Sequence, residues 1–185
     1  MVKVYFAGPD VFYKDSDQIA ENKKAALQAR EITGIYPSDN KIENFSFSKE
    51  TAAKIFQCNI DLMDECDVIL ANMTPWRGPS MDAGTISEIV YGATKGKLVI
   101  GYYEGDVPLY TERVVSHYKG KVSRNENGSI TALEDNTSIE NFEQKDNLMI
   151  PGFIKMSGGK IYNSFEEAVD NIQRLWNEKI AQQQK

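Results

Sequence analysis

The chain has 185 residues, 41% of them hydrophobic and 26% charged, a composition typical of a single globular domain over residues 1–185. Its net charge of −6 argues against a nucleic-acid partner, because phosphate contacts need a basic face. No apolar run approaches the roughly 20 residues needed to span a bilayer, so we expect no membrane partner. A strand pattern starts at the second residue, and we therefore expect no signal peptide.

The two cysteines and the single histidine exclude several kinds of chemistry. Cys58 and Cys66 have no neighbouring cluster of metal ligands, and reduced thiols in a cytoplasmic protein are the expected state. His117 lies in a polar segment and is expected at the surface, which disfavours Ser-His and Cys-His mechanisms. We expect neither a metal nor a cofactor.

The first predicted element is a central strand over residues 2–8 that ends in a loop beginning at Gly8. No G-x-G-x-x-G pattern and no Walker lysine follows, so the dinucleotide and P-loop fingerprints are absent. Tyr5 either packs in the core or points its hydroxyl into a site, where it would orient a carboxylate. Phe12 and Tyr13 either join the core or stack on a flat ligand.

A helix is predicted next over residues 16–33, with Ser16 as its N-cap and Gly34 ending it. Residues 35–37 form a short strand closed by proline, and Asp39 lies in the polar loop that follows.

Ser48 begins the second predicted helix, in which apolar residues recur at helical spacing as far as Met63. Asp61 lies in its last turns, where a negative charge faces the negative end of the helix dipole. Because Asp61 borders the apolar stripe, we expect it close to the loops of the site rather than on a solvated face.

The most informative stretch starts with a buried strand over residues 67–71, followed by a loop rich in Pro and Gly and then by a helix. In open α/β sheets, ligands bind at the loops after the carboxyl ends of strands. This loop and the first helical turns contain two carboxylates, Asp82 and Glu88, with Trp76 and Arg77 nearby. We therefore predict the functional site here.

A purely structural role for these carboxylates is the alternative. Asp82 has the position of an N-cap, and Thr85 to Glu88 matches a capping box, but one helix cannot begin at both residues. If Asp82 is the cap, Glu88 lies in the second turn, too deep to cap anything. Gly84 and Gly92 each lower helix stability by roughly 1 kcal/mol relative to Ala, which indicates that another group approaches the backbone closely.

The next strand, over residues 97–101, is a continuous apolar run typical of a parallel sheet buried on both faces. Residues 103–147 are then polar, with Asn127-Gly128 between two short alternating runs, which predicts a hairpin. We interpret this segment as an insertion too short for its own core, of the kind that forms lids, binding loops or oligomer contacts. A last strand over residues 160–162 and a helix starting at Ser164 complete the chain.

The order of these elements predicts an α/β fold. It is a flavodoxin-like, doubly wound, parallel five-stranded sheet with strand order 2-1-3-4-5, helices on both faces and a polar insertion before the last strand.

Five motifs, in order, resemble those of the nucleoside 2-deoxyribosyltransferase family. They are YFAGPDVF at 5–12, NIDL at 59–62, TPWRGP at 74–79, DAGTISE at 82–88 and NLM at 147–149. The ordered set spans most of the chain and is much more specific than any single motif.

The resemblance implies that Glu88 is the nucleophile and that Tyr5 hydrogen-bonds to it. It also implies that Asp61 and Asp82 contact the nucleoside, and that Asn147 reaches the site of a neighbouring subunit in a homo-oligomer. The implied partners are deoxyribonucleosides and free nucleobases. The catalytic residues are then Glu88, Asp82, Asp61 and Tyr5, and the substrate-binding residues are Gly8, Phe12, Asp39, Trp76, Arg77, Asn147 and Met149.

Base exchange at C1′ with retention needs a covalent intermediate, as in retaining glycosidases. One carboxylate attacks C1′ while an acid protonates the leaving base. We assign Glu88 as nucleophile and Asp82 as proton donor, a role that Asp61 could share. Trp76 stands where the family pattern has phenylalanine, a departure that affects base preference.

Two other functions remain open on sequence grounds. One is a deoxynucleoside monophosphate N-glycosidase on the same fold, which would need a phosphate pocket. The other is a non-catalytic nucleotide- or flavin-binding module, in which Glu88 is an ordinary helix residue.

Overall fold

The computed structural model describes residues 1–40 and 42–184. The elements are β1 (Lys3–Ala7), α1 (Ser16–Gln28), β2 (Thr33–Ile35), α2 (Lys49–Asp64), β3 (Val68–Asn72), α3 (Ala83–Thr94), β4 (Leu98–Tyr102), α4 (Tyr110–His117), β5 (Val122–Arg124), β6 (Ile130–Ala132), β7 (Ser138–Ile139), α5 (Met149–Met156), β8 (Ile161–Tyr162) and α6 (Phe165–Gln183). Within these residues, no helix is both long enough and apolar enough to cross a membrane.

The main sheet has five parallel strands in the order β2-β1-β3-β4-β8. This order confirms the predicted doubly wound, flavodoxin-like arrangement. Strands β3 and β4 are buried along their whole length, as their continuous apolar sequences predict.

The two faces of the sheet carry separate hydrophobic cores because side chains alternate along each strand. Val4 and Phe6 of β1 point to the face covered by α1 and α6. Tyr5 and Ala7 point to the opposite face, where α3 and α5 pack. The catalytic tyrosine predicted from sequence therefore lies on the α3 side.

The prediction for the first helix and second strand is wrong in its boundaries. α1 ends at Gln28, and a turn with Glu31 in the left-handed region (φ 58°) leads into β2. Gly34 lies within β2 rather than ending a helix. A side chain at Gly34 would come within 2.7 Å of the Phe6 ring, so sheet packing, and not helix termination, requires glycine there.

The insertion is more ordered than its polar sequence indicates. It contains α4 and a three-stranded antiparallel sheet, of which β5 and β6 form the predicted hairpin. The expectation that it lacks a core is wrong, because Val114, Ile130, Ala132 and Ile139 form a small buried cluster.

Helix α5 was not predicted from the sequence. Its Pro151-Gly152 pair is typical of a turn, yet Pro151 falls in the first turn, where its missing N–H has no helical partner to lose. α2, in contrast, begins at the predicted cap Ser48 but packs less than expected. Phe56 is 63% exposed, so only the end of the apolar stripe, where Met63 is buried and Ile60 is partly buried, lies in the core.

Candidate active site

Helix α3 begins at the carboxyl edge of the sheet, near the point where the strand order reverses between β1 and β3. Asp82 is its N-cap, and Asp82 Oδ2 accepts hydrogen bonds from the Thr85 backbone N–H at 2.9 Å and from the Thr85 hydroxyl at 3.1 Å. The alternative in which Thr85 begins the helix is therefore wrong. Glu88 lies in the second turn, where it caps nothing.

Glu88 is bound instead by the first strand. The Tyr5 hydroxyl donates a 2.7 Å hydrogen bond to Glu88 Oε1, although the two residues are 83 positions apart. Tyr5 is fully buried, so it packs in the core and also points its hydroxyl at a carboxylate. Burial raises the pKa of Tyr5, which keeps the hydroxyl protonated and able to donate.

Competing effects place the pKa of the Glu88 carboxyl group at about 7. Burial raises its pKa from the ordinary value of 4.5 to about 7. The hydrogen bond from Tyr5 acts against this rise in pKa, since it favours the charged form, and the negative charge of Asp82 adds to it. A carboxyl group with such a pKa at a ligand-binding edge is typical of a catalytic group.

Gly92 allows α3 to pack closely against β3, and Gly84 lies close to the cap of its own helix. A Cβ atom on Gly92 would lie 2.5 Å from Ile69 Cγ1, so the helix could not approach β3 as closely with any other residue. A Cβ atom on Gly84 would lie 2.9 Å from Asp82 Oδ2. The close approach predicted at both positions is confirmed at Gly92 by side chains of β3 and β4, while at Gly84 the nearby group is the Asp82 carboxylate of the same helix.

An aromatic cluster covers the loops after β1 and β3. It consists of Phe12, Tyr13, Trp76 and Arg77. Phe12 and Trp76 stack with ring centroids 5.7 Å apart and an interplanar angle of 16°, and Tyr13 meets Trp76 edge-on at 5.4 Å. The Arg77 guanidinium lies 5.0 Å from the Trp76 ring centroid. Phe12 is 54% exposed, so it does not join the core.

Asp61 and Asp39 bond to groups other than Tyr5 and Glu88. Asp61 is exposed on α2 and accepts a 2.8 Å hydrogen bond from Gln57, one turn earlier. Asp39 pairs with Lys24 and accepts a hydrogen bond from the Tyr36 backbone N–H at 2.9 Å. Among residues 1–40 and 42–184, neither carboxylate bonds to another of the predicted catalytic residues.

Asn147 is held within its own chain. Its Nδ2 donates to Glu140 Oε1 at 2.5 Å, and its Oδ1 accepts from the Met149 backbone N–H at 3.1 Å. Met149 is 56% exposed. In the single chain, Asn147 therefore forms a turn just before α5, and Met149 is the exposed first residue of that helix.

Comparison with known proteins decides the family. The model of the nucleoside 2-deoxyribosyltransferase family matches residues 4–149, a range that includes every site residue predicted from the sequence. The chain belongs to this family.

Three similar proteins, each from a different organism, can be compared with this member of the nucleoside 2-deoxyribosyltransferase family. An uncharacterized protein of Schizosaccharomyces pombe is 31% identical over 91% of the chain and 87% of its own length. A 2-desoxiribosyltransferase from Leishmania mexicana is 26% identical, with a TM-score of 0.69 over 94% of this chain and 98% of that one. A conserved protein from Enterococcus faecalis V583 is 22% identical, with a TM-score of 0.62 over the same shares, and shows the fold alone. The family resemblance seen in the motifs is thus confirmed.

A buried ionic network lies on the face of the sheet covered by α1 and α6. It connects the carboxyl ends of β1, β3 and β4. Lys23 Nζ lies 2.9 Å from Asp10 Oδ2 and donates to the Tyr102 hydroxyl at 2.7 Å. Asn72 Nδ2 donates to Asp10 at 3.2 Å, which links the loops after β1 and β3. This network was not predicted, because Lys23 and Lys24 are adjacent in the sequence of α1. Only the folded structure shows that Lys23 is the buried one.

The described residues, 1–40 and 42–184, contain no group of three or more His, Cys, Asp or Glu side chains that could hold a metal ion.

Proposed function

We propose that the protein exchanges the nucleobase of 2′-deoxyribonucleosides through a covalent deoxyribosyl–Glu88 intermediate, with retention at C1′. The observation that carries the proposal is the 2.7 Å hydrogen bond from the buried Tyr5 hydroxyl to Glu88, at the ligand-binding edge of the sheet. Tyr5 orients the carboxylate and leaves its second oxygen for attack.

In the first half-reaction, a Glu88 oxygen bonds to C1′ while the bond from C1′ to the base nitrogen breaks. The departing base takes up one proton. In the second half-reaction, a nitrogen of the incoming base attacks C1′, the ester to Glu88 breaks and the incoming base loses a proton. Two inversions at C1′ give net retention.

Asp82 is the proton donor in this proposal. It lies on the same helix as Glu88 and is close enough for its charge to raise the pKa of Glu88. Both hydrogen bonds from Thr85 go to Asp82 Oδ2, so Oδ1 is left for the base. Asp61 is exposed on α2, which favours a supporting role for it.

The aromatic cluster is the proposed base site. Flat nucleobases stack on aromatic rings, and a base could enter this cluster by stacking with Phe12 or Trp76, which stack on each other in the structure. Arg77, Gly8 and Asp39 border this region in the proposal. Asn147 and Met149 complete the site of a neighbouring subunit, which requires Asn147 to leave its bond to Glu140.

The substrate sugar is 2′-deoxyribose in this proposal. A 2-deoxy sugar lacks an electron-withdrawing hydroxyl, so its oxocarbenium-like transition state is reached more easily. A pocket alone discriminates against one added hydroxyl by about 10²-fold. We expect kcat/KM for deoxyadenosine to exceed that for adenosine by at least this factor, and comparable values would contradict the assignment.

Incubation with a deoxynucleoside and a second free base tests the function. The proposal predicts a new deoxynucleoside in wild type and almost none in Glu88→Ala. Free deoxyribose without exchange would indicate an N-glycosidase, and no turnover with any nucleoside would indicate a binding module. Substantial exchange by folded Glu88→Ala would overturn the nucleophile assignment.

A further inference from the structure

The insertion ends in a buried carboxylate that contacts the loop in front of α3. Asp146 is 1% exposed. Its Oδ1 accepts hydrogen bonds from the Ser80 hydroxyl at 2.5 Å and from the Asn147 backbone N–H at 2.9 Å. Its Oδ2 accepts from the Met81 backbone N–H at 3.1 Å. One side chain of the insertion thus binds the two residues that immediately precede Asp82.

The charge of Asp146 is balanced by a buried cation from the same insertion. Arg113 Nη2 lies 3.6 Å from Asp146 Oδ2, and the Arg113 side chain is only 10% exposed. The same nitrogen donates to the Lys145 carbonyl oxygen, which fixes the guanidinium beside the carboxylate. A buried ion pair of this kind contributes little net stability compared with apolar residues of similar volume. We therefore consider how the Asp146–Arg113 pair affects the geometry of the loop before α3.

Packing alone does not hold the loop that Asp146 binds. A cleft of about 540 Å³ separates Gly78 and Pro79 from Arg113 and the exposed His117 at the end of α4. Arg77 is exposed and has a left-handed backbone (φ 55°), which is unfavourable for a residue with a side chain. Met81, at the end of the loop, is buried in the core on the α3 side, whereas Ser80 and the residues before it depend on polar contacts. On the side of the insertion, these contacts converge on Asp146.

We propose that Asp146 is a positioning residue for the reaction. It holds the start of α3 so that Asp82 and Glu88 keep their register, and it fixes the backbone of Asn147 at the same point. The insertion is thereby coupled to the active site rather than being a peripheral subdomain. This inference rests on the proposed function, in which Asp82 supplies the proton to the leaving base.

The chemistry offers a readout that separates positioning from general stability. An ordinary purine must be protonated as it leaves, so its departure depends on the position of Asp82. The base of N7-methyl-2′-deoxyguanosine already carries a positive charge and leaves as a neutral molecule without a proton from the enzyme. Displacement of Asp82 therefore slows the first substrate much more than the second.

The variant Asp146→Asn keeps the shape of the side chain but removes its charge and one acceptor oxygen. A misplacement on the order of 1 Å costs up to about 10²-fold in rate. We expect kcat for deoxyadenosine to fall by roughly 10-fold or more, with release of N7-methylguanine lowered less than about 3-fold. Ser80→Ala, which removes one donor to Asp146, should change the two rates in the same direction by a smaller factor.

Asp135→Asn is the matched control. Asp135 belongs to the same insertion and accepts hydrogen bonds from Tyr118 and Thr137, but its contacts stay within the insertion. We expect its two rates to match those of wild type. Amide hydrogen exchange supplies a measurement that needs no substrate: the peptide over residues 76–88 should exchange faster in Asp146→Asn and Ser80→Ala and be unchanged in the control.

The outcomes separate the two claims. If wild type turns over no nucleoside, the proposed function fails, while hydrogen exchange still judges whether Asp146 holds the loop. If wild type is active but Asp146→Asn lowers both rates equally, and exchange over residues 76–88 is unchanged, the positioning role is overturned. Should Asp146→Asn not fold, Ser80→Ala decides the question by the same two measurements.

Discussion

Replacement of Glu88 by glutamine should stabilise the protein at alkaline pH while it abolishes transfer. The folded state raises the pKa of Glu88 from 4.5 to about 7 because it buries the carboxyl group. Between these two pH values the folded chain holds a proton that the unfolded chain has lost. Stability contributed by this group therefore falls as pH rises through that window, and glutamine, which does not titrate, is spared the loss.

The size of the effect follows from the pKa shift. At 1.36 kcal/mol for each pKa unit, the rise to about 7 corresponds to roughly 3 kcal/mol, and partial solvent screening lowers this to about 2. The difference in unfolding free energy between Glu88→Gln and wild type should therefore be about 2–3 kcal/mol larger at pH 8 than at pH 4. For a chain of this length, that corresponds to about 4–12 °C in Tm.

Urea unfolding of wild type and Glu88→Gln at pH 4, 6 and 8 measures the difference directly. All other titrating groups are shared by the two proteins, so their contributions cancel. Glu126→Gln, an exposed substitution in the hairpin of the insertion, is the control and should follow wild type at every pH. Parallel stability curves for wild type and Glu88→Gln would refute the reasoning, because they would show that folding does not perturb the Glu88 carboxyl group.

Three further predictions concern the strand ends, the base site and the subunit interface. Lys23→Met leaves Asp10 as an unpaired buried charge, and we expect chemical denaturation to show a loss of about 3–5 kcal/mol. Trp76→Ala removes a stacking face, and steady-state kinetics should show KM for the nucleoside raised roughly 5- to 150-fold, equivalent to about 1–3 kcal/mol. Glu88→Ala and Asn147→Ala should each be nearly inactive, but unfolding and refolding them together should restore about one quarter of the sites if each site takes one residue from each subunit.

Two of these predictions have a matched control variant. Arg30→Met removes another cation associated with α1, one that pairs with Asp170 at the surface, and should cost less than about 1 kcal/mol. Trp176→Phe removes the second tryptophan, far along α6, and should leave KM unchanged. For the refolded mixture, mixed oligomers that form but stay inactive would rule out a site shared between subunits. An unchanged KM in Trp76→Ala would exclude the aromatic cluster as the base site.

Local sequence patterns predicted the sheet because β3 and β4 are continuous apolar runs with unambiguous helices around them. They failed where tertiary packing overrides local signals. Gly34 has the position of a helix C-cap but is required by the Phe6 ring, and Pro151-Gly152 has the character of a turn but lies inside α5.

Part of the site was predicted from family motifs and not from local sequence patterns. The pairing of Tyr5 with Glu88 came from ordered motifs, since no periodicity relates two residues 83 positions apart. The contacts of Lys23 and Asp146 were not predicted, because the sequence does not distinguish a buried charged residue from an exposed one. The three-dimensional structure is needed to show which carboxylates are buried against a partner. It places Asp61, predicted to be catalytic, at the surface.

Trapping of the intermediate tests the central claim most directly. A 2′-deoxy-2′-fluoronucleoside destabilises the oxocarbenium-like transition state and should make the sugar–enzyme ester long-lived. Mass spectrometry of the digested protein should then show the mass of one fluorinated sugar on the peptide containing Glu88, and none in Glu88→Ala. A sugar adduct on a different residue, or base exchange by the natural substrate with no adduct trapped at any time, would contradict the assignment of Glu88 as the nucleophile.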